Sequence, residues 1–155
     1  MATVRDLMVT ELVTVEPQAT VLQAVEKMCR NRVGAVLVVE NDELLGLFSE
    51  RDLMTRVVAE RRDPAKTKVG SVCTGTVVTI DVQQPFRQVL EIFRQKRFRH
   101  LPVLDGSKPV GILSTRDFLA YLVDGLERFI DEAKYREALA EGVDIYDHLG
   151  GSYGL

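Results

Sequence analysis

The spacing Gly-x-x-Ser-x-x-Asp occurs twice in this chain, as Gly46, Ser49 and Asp52 and as Gly111, Ser114 and Asp117. Each serine opens a helical pattern, so it would be an N-cap with the aspartate one turn further on. Free backbone N–H groups and the dipole at such a helix start favour an anion such as phosphate. The glycine lets a ligand or a neighbouring strand approach the backbone closely. The same Ser-x-x-Asp spacing is also a variant of the capping box, which occurs on helices that bind nothing.

The two elements belong to a repeat that covers most of the chain. A shift of 65 residues places Val4–Leu53 on Val69–Phe118 without a gap, and twelve of the fifty aligned positions are identical. Such self-similarity over one supersecondary unit indicates a duplicated module. We place the two units at residues 1–58 and 69–123, with a polar linker at 59–68 and a C-terminal extension at 124–155.

Each copy begins with the same two predicted elements. A short apolar segment comes first, at Leu12–Val15 or Val77–Ile80. A helical pattern follows, with apolar residues at i, i+3, i+4 and i+7. In the first copy these are Val21, Ala24, Val25 and Met28, with Thr20 as a suitable N-cap.

Two strands joined by a hairpin turn follow in each copy. They are Ala35–Val39 with Leu44–Phe48, and Leu101–Leu104 with Val110–Leu113. The order is βαββα, twice, which predicts a mixed α/β (α+β) fold. Because a half of about fifty residues is too small to be secure alone, we expect the halves to pack sheet to sheet about a pseudo-two-fold axis. That packing leaves a cleft between them.

Composition narrows the class of protein. Hydrophobic residues make up 46% of the chain, charged residues 28%, and the formal net charge is −3, so no global field would attract nucleic acid or an anionic membrane. Cys29 and Cys73 lack metal-ligand spacing, which favours a reduced, cytoplasmic setting. No apolar stretch approaches the ~18 residues of a membrane helix, and Met1–Thr10 does not resemble a signal peptide.

Several segments resemble the CBS-domain family. They are Val4–Met8, Gly34–Val39 and Gly46–Leu53 in the first copy, and Arg99–Val103 and Gly111–Phe118 in the second. The resemblance extends over Val4–Phe118, about three-quarters of the chain. It implies a stand-alone tandem pair, a Bateman module, that holds an adenosyl ligand in the cleft. AMP, ADP, ATP, NADH and S-adenosylmethionine are the ligands expected.

The resemblance also implies roles for individual residues. Asp52 and Asp117 would accept the two ribose hydroxyls, and Ser49 and Ser114 would face ribose or phosphate. Arg51 and Arg116 are placed to meet phosphate. Thr14 and Thr79 resemble the polar position near the base or ribose, although β-propensity also explains a threonine there. Pro102 belongs to the matching motif that starts at Arg99.

The segment before the middle strand is more basic in the second copy than in the first. It has Arg94, Lys96, Arg97, Arg99 and His100 where the first copy has Cys29, Asn31, Arg32, Gly34 and Ala35. We therefore predict the better site, suited to a polyphosphate, from Thr79, Arg99, His100, Ser114, Arg116 and Asp117. The alternatives are a solvated basic helix end that complements its own dipole and, for His100, a packed imidazole.

The apolar spacing continues beyond Phe118. It includes Leu119, Leu122, Val123, Leu126, Phe129 and Ile130, and it predicts a further helix that passes through Gly125 and stops near Gly142. This stripe would either cover its own module or pack against a second subunit. Because two-fold association is the most usual form, we expect a homodimer.

Two functions remain open at this point. The chain is either a sensor of an adenine-containing ligand, with an effector protein as its partner, or an interaction module in which both Ser-x-x-Asp elements only cap helices. Catalysis is not expected, because no P-loop, Gly-x-Gly-x-x-Gly or Ser/His/Asp pattern is present. Nucleic-acid binding is not expected either, since Phe93 and Phe98 fit core spacing better than a base-stacking platform.

Overall fold

The computed structural model describes residues 3–95 and 99–141, which fall into two compact units divided between Asp117 and Phe118. The first copy contains α1 (Val4–Leu7), β1 (Thr14–Val15), α2 (Val21–Asn31), β2 (Ala35–Glu40), β3 (Glu43–Ser49) and α3 (Glu50–Asp52), which continues as a π-helix over Leu53–Val58. The second contains a 3-10 turn (Val69–Ser71), β4 (Ile80–Asp81), α4 (Phe86–Gln95), β5 (His100–Asp105), β6 (Lys108–Ser114) and α5 (Thr115–Ala140).

Each copy builds one three-stranded sheet, β1-β2-β3 or β4-β5-β6. In both sheets the first strand runs parallel to the middle strand, and the middle strand pairs antiparallel with the third. The register repeats at the 65-residue shift, because Val38 lies opposite Gly46 as Val103 lies opposite Gly111. Strands β3 and β6 contact each other. The predicted α+β fold of two βαββα halves is confirmed.

The first long helix forms where its N-cap was predicted. The Gln23 amide donates to Thr20 Oγ1 at 3.2 Å, and the Thr20 amide donates to Gln23 Oε1 at 2.9 Å. This reciprocal pair satisfies two amides that the helix start would otherwise leave without acceptors. Val21, Ala24 and Met28 are buried on one face of α2, which confirms the helical period.

Both predicted hairpins form at their turn residues. Asn41 and Asp42, between β2 and β3, have φ of 51° and 64°, and Gly106, between β5 and β6, has φ of 63°. These left-handed conformations suit two-residue turns whose twist matches that of the strands. The turns fix the register that places Ser49 and Ser114 at the strand ends.

The two copies exchange their leading segments. Val4 on α1 is fully buried in the hydrophobic core of the second copy, together with Leu101. Val69 and Val72, which open the second copy, are instead buried in the core of the first. Each core is therefore completed by the other repeat, and the two halves are interlocked.

Backbone pairing fixes the exchanged segments against the glycines of the repeated element. Thr74 exchanges two backbone hydrogen bonds with Leu47, at 2.9 and 3.0 Å, and Val9 pairs in the same way with Ile112. A Cβ atom on the adjacent Gly46 would lie 2.7 Å from the Thr74 carbonyl oxygen. The glycines thus admit a neighbouring strand, which is one of the two roles that the sequence allowed.

Gly46→Ala is expected to lower the free energy of unfolding by about 2 kcal/mol, within the usual range for overpacking a close contact. The added methyl group would meet paired backbone, which cannot move aside without breaking the bridge. Gly111→Ala is the matched control, because the three atoms nearest to its methyl group would all belong to the flexible Met8 side chain. It should cost less than about 1 kcal/mol. Urea unfolding of both variants measures the difference, and equal losses would contradict this account of the exchange.

The last described helix runs without interruption through Gly125, as the apolar spacing predicted. Many of its apolar side chains are exposed, Leu126 to 60% and Phe129 to 69%. Gly142, the predicted helix end, and residues 143–155 lie outside the described residues. The homodimer stays a prediction. Within residues 3–95 and 99–141, no helix is long and apolar enough to cross a membrane.

Candidate functional site

Two cavities lie at equivalent positions in the two copies. The first cavity, of about 200 Å³, is lined by Ser49–Asp52 together with Thr74 and Thr76–Val78. The second cavity, of about 850 Å³, is lined by Ser114–Asp117 together with Val9 and Glu11–Val13. The 65-residue shift converts one set into the other. Each cavity therefore joins the Ser-x-x-Asp element of one copy to the exchanged segment of the other, and a ligand in either would contact both repeats.

The two cavities share one wall. Gly34, Glu50, Arg99 and His100 line both of them. Three of these four residues, all except Gly34, have ionisable side chains. The carboxylate of Glu50 lies over Gly34, since a Cβ there would be 3.3 Å from Glu50 Oε2. Charge placed in one cavity is thus close to the other.

In the first cavity, the carboxylate of Asp52 is fully engaged by the protein itself. Asp52 is only 6% exposed. Its Oδ2 accepts hydrogen bonds from the amide and the hydroxyl of Ser49, both at 2.9 Å. Its Oδ1 accepts from Thr74 Oγ1 at 3.1 Å and lies 3.4 Å from Arg56 Nε. For this copy the structure supports the capping interpretation of the Ser-x-x-Asp element.

In the second cavity, the equivalent carboxylate keeps one oxygen open. Ser114 Oγ donates to Asp117 Oδ2, and the Asp117 amide donates to Ser114 Oγ at 3.1 Å. Over the part of the chain that the structure describes, Asp117 Oδ1 accepts no hydrogen bond. The cap is therefore present in both copies, but within the described residues only the carboxylate of the second copy keeps an oxygen that accepts no hydrogen bond.

Cations and a helix start converge on the same cavity. Arg32, Arg99 and Arg116 line it, and none of them forms an ion pair with another described residue. The Thr115 amide donates to the Arg99 carbonyl oxygen at 3.0 Å. This hydrogen bond holds Arg99, the residue just before β5, next to the first residue of α5. The Arg116 amide has no acceptor within residues 3–95 and 99–141. This arrangement can hold an anionic group.

His100 is half-buried in the shared wall. Burial lowers the pKa of the imidazole below its ordinary value, with Arg99 acting in the same direction and the nearby Glu50 and Asp117 opposing it. The ring is therefore neutral at pH 7, with one nitrogen able to donate a hydrogen bond and the other able to accept one. It lines both cavities, so the packed-imidazole alternative describes only part of its surroundings.

Three predicted site residues lie away from both cavities. The Thr14 carbonyl oxygen accepts a hydrogen bond from Lys27 Nζ at 2.6 Å, in an open groove of the first copy. Thr79 lines a separate groove beside Leu44 and Leu45. Pro102 is buried within β5, opposite Ile112. The structure does not bring Thr79 to the second cavity, where the exchanged segment of the first copy supplies the corresponding part of the wall.

The remaining predicted residues are brought together. Ser49, Arg51 and Asp52 lie in the first cavity, Ser114, Arg116 and Asp117 in the second, and Arg99 and His100 in both. Of the basic cluster, Arg94 lies 4.0 Å from Glu91 on the surface of α4, while Lys96 and Arg97 are outside the described residues, as is Phe98. Phe93 packs against the second core, as its spacing predicted.

Several lining residues were not predicted from the sequence. Val9, Glu11 and Thr74 belong to leading segments that cross between the copies, and Glu50 reaches the shared wall from α3. Arg56, which engages Asp52, was missed as well. The one available signal was the pair of glycines, Gly46 and Gly111. From the sequence, each could admit either a ligand or a neighbouring strand close to its backbone.

Comparisons with known proteins agree with the duplication. A family model described as CBS domain matches residues 4–59 and 69–124. The CBS domain-containing protein YhcV of Bacillus subtilis is 32% identical over 117 residues, which are 76% of this chain and 83% of YhcV. CBSCBSPB2, a CBS domain-containing protein of Arabidopsis thaliana, is 32% identical over 154 residues. These are 99% of this chain but 28% of that relative, so the chain spans about a quarter of its length.

A solved structure extends the likeness to the fold. The CBS-domain containing protein ATU1752 from Agrobacterium tumefaciens is 30% identical and superposes with a TM-score of 0.69. The superposition covers 77% of this chain and 98% of that chain. The part of this chain that superposes thus corresponds to nearly the whole of that chain.

Proposed function

The chain belongs to the CBS-domain family, as a regulatory module of two such domains, and on that premise we propose that it binds AMP or a related adenosyl ligand in the second cavity. The observation that carries the proposal is the open Oδ1 of Asp117 beside the start of α5. Ligand pockets usually measure about 300–1,000 Å³. The second cavity, at about 850 Å³, falls within this range, and the first, at about 200 Å³, does not.

A ribose is the group that best suits Asp117. Its two neighbouring hydroxyls are donors, and an ionised carboxylate accepts them with charge-assisted hydrogen bonds. Ser114 engages Oδ2 only, which leaves the other oxygen and the remaining lone pairs free. The ribose would thus bind without breaking the cap that starts α5.

The phosphate and the base would then lie on opposite sides of the ribose. Arg99, Arg116 and the free amide at the start of α5 favour the phosphate. Val9, Leu12 and Ile112 give the cavity an apolar surface that suits an adenine ring. A polar end and an apolar end within one cavity fit an amphipathic ligand better than an inorganic anion.

The charge of the lining argues for a ligand of low charge. Arg32, Arg99 and Arg116 are matched by three carboxylates, those of Glu11, Glu50 and Asp117. Each phosphate added beyond the first would therefore meet a site with little net positive charge. We propose that AMP binds at least as tightly as ATP, which departs from the polyphosphate expected from the basic residues of the second copy.

Thermal unfolding and calorimetry with AMP, ADP, ATP, NADH and S-adenosylmethionine test the proposal. A ligand at 100 times its dissociation constant is expected to stabilise the protein by about 2.7 kcal/mol. If none of the five ligands produces a shift, the alternative function holds, an interaction module without a small ligand.

The two cysteines report where a ligand binds. Cys29 is exposed and lines the second cavity, so AMP is expected to slow its alkylation. Cys73 is the internal control, because it contacts the first copy's Gly46 and burial raises the pKa of its thiol, which makes it less reactive. Protection of Cys73 alone would argue against a ligand in the second cavity. The cytoplasmic setting, the effector protein and the absence of catalysis stay predictions.

A further inference from the structure

We propose that Arg56 and Thr74 hold the first cavity closed to ribose, so that each chain binds one ligand although it carries two copies of the Gly-x-x-Ser-x-x-Asp element. The inference rests on the proposed function, because it assumes that an open carboxylate at this position accepts a ribose. It assigns to Arg56 a part that neither the repeat nor the family match indicates.

Arg56 links the carboxylate of the first copy to the exchanged segment of the second. Its Nε lies 3.4 Å from Asp52 Oδ1, and its Nη1 donates to the Cys73 carbonyl oxygen at 2.8 Å. Thr74, the next residue along that segment, donates its hydroxyl to the same Asp52 oxygen at 3.1 Å. The donors that a ribose would supply to Asp52 are thus already supplied by the protein.

The second copy lacks this arrangement because its residues differ. At the 65-residue shift, Thr74 corresponds to Val9 and Arg56 corresponds to Tyr121. Valine has no donor, and neither residue is a cation. At these two positions, therefore, the second copy has neither the threonine hydroxyl nor the guanidinium that engage Asp52 in the first copy.

The contacts of Arg56 beside the first cavity also connect the two copies. The Asp52–Arg56–Cys73 connection ties α3 and the following π-helix to the segment that pairs with β3. A ligand there would have to break contacts that hold the two copies together. In the second cavity, a ligand at Asp117 Oδ1 would add contacts between the copies without displacing the Ser114 cap.

The test counts bound ligands per folded chain. Calorimetry with AMP and with adenosine is expected to give one site in the unaltered protein. Adenosine is included because Glu50, Arg99 and His100 line both cavities, and two phosphates would compete for the same cation. The double variant Arg56→Ala with Thr74→Val is expected to bind two adenosines, the second within about tenfold of the first in affinity. Arg56→Lys, which keeps a cation, is the control and should stay at one.

Further substitutions locate the new site. Adding Asp117→Ala to the double variant should leave one adenosine, and adding Asp52→Ala instead should remove the new one. If the double variant does not fold, Arg56→Met, which keeps the aliphatic stem, takes its place in the same measurement.

The outcomes separate this inference from the proposed function. Two sites in the unaltered protein, or one site in a folded double variant, would overturn the inference and leave the proposed function standing. No site in the unaltered protein would overturn the proposed function. In that case, one site gained in the double variant supports the closure by Arg56 and Thr74, and none gained overturns it.

Discussion

Asp117→Ala is expected to weaken AMP binding about a hundredfold. Hydrogen bonds to a charged partner contribute about 1.5–3 kcal/mol each, and the substitution removes the acceptor of both ribose hydroxyls. A loss of about 3 kcal/mol corresponds to a little more than two orders of magnitude in the dissociation constant. Calorimetry at constant ionic strength measures the change, since the phosphate contacts depend on salt.

Asp52→Asn is the matched control for that experiment. It alters the same position of the repeated element, but in the cavity whose carboxylate is occupied by Ser49, Thr74 and Arg56. AMP affinity is expected to stay within about twofold, a change of less than 0.5 kcal/mol. Undiminished binding in Asp117→Ala, or a loss of binding in the folded Asp52→Asn variant, would remove the basis for placing the ribose at Asp117.

The second large effect is on stability. Here Asp52 is expected to be the more sensitive of the two aspartates, whereas Asp117 is the more sensitive one in binding. Asp52→Ala is expected to lower the free energy of unfolding by about 3 kcal/mol, because it breaks a buried polar cluster and leaves its partners unpaired. The loss stays below the upper end for buried pairs because the Arg56 side chain is 47% exposed and regains water. Asp117→Ala removes only a helix cap, which costs about 1 kcal/mol.

Denaturant unfolding of the two alanine variants, without ligand, measures this difference. The unfolding midpoint should fall much further for Asp52→Ala, while the slope with denaturant stays the same for both. Equal midpoints would mean that the contacts of Asp52 with Thr74 and Arg56 contribute little. If the midpoints differ as expected, the stability and binding results together would show opposite sensitivities of the two aspartates, Asp52 in stability and Asp117 in affinity.

These expectations describe a duplicated element with two uses. In the first copy, the serine and the aspartate complete a helix start and a clamp between repeats. In the second copy the same residues leave an acceptor open in a cavity that both repeats line. A ligand held there would contact Val9 and Leu12 from one copy and Asp117 from the other. It would favour one arrangement of the repeats only as far as its affinity differs between arrangements.

The sequence by itself determined the duplication and the order of elements. Identical residues at a constant shift fix the repeat, and local signals such as Thr20 at its N-cap and Asn41-Asp42 in its turn act within a few residues. The Ser-x-x-Asp caps and the positions of Arg99 and His100 followed from the same local pattern. Because these interactions span short stretches of chain, they can be inferred from a single sequence.

Only the tertiary structure decided which cavity is open. The exchange of leading segments joins residues that are far apart along the chain, such as Thr74 with Leu47 and Val9 with Ile112. As a result, residues of the exchanged segments, such as Val9 and Thr74, line the cavities in place of the predicted Thr14 and Thr79. These residues belong to no recognisable motif. The contact of Arg56 with Asp52 spans one helical turn and is therefore local. Its effect on the cavity depends on Thr74 and Cys73, which belong to the other repeat. Periodicity and capping report local order, whereas the occupancy of a carboxylate depends on the long-range packing around it.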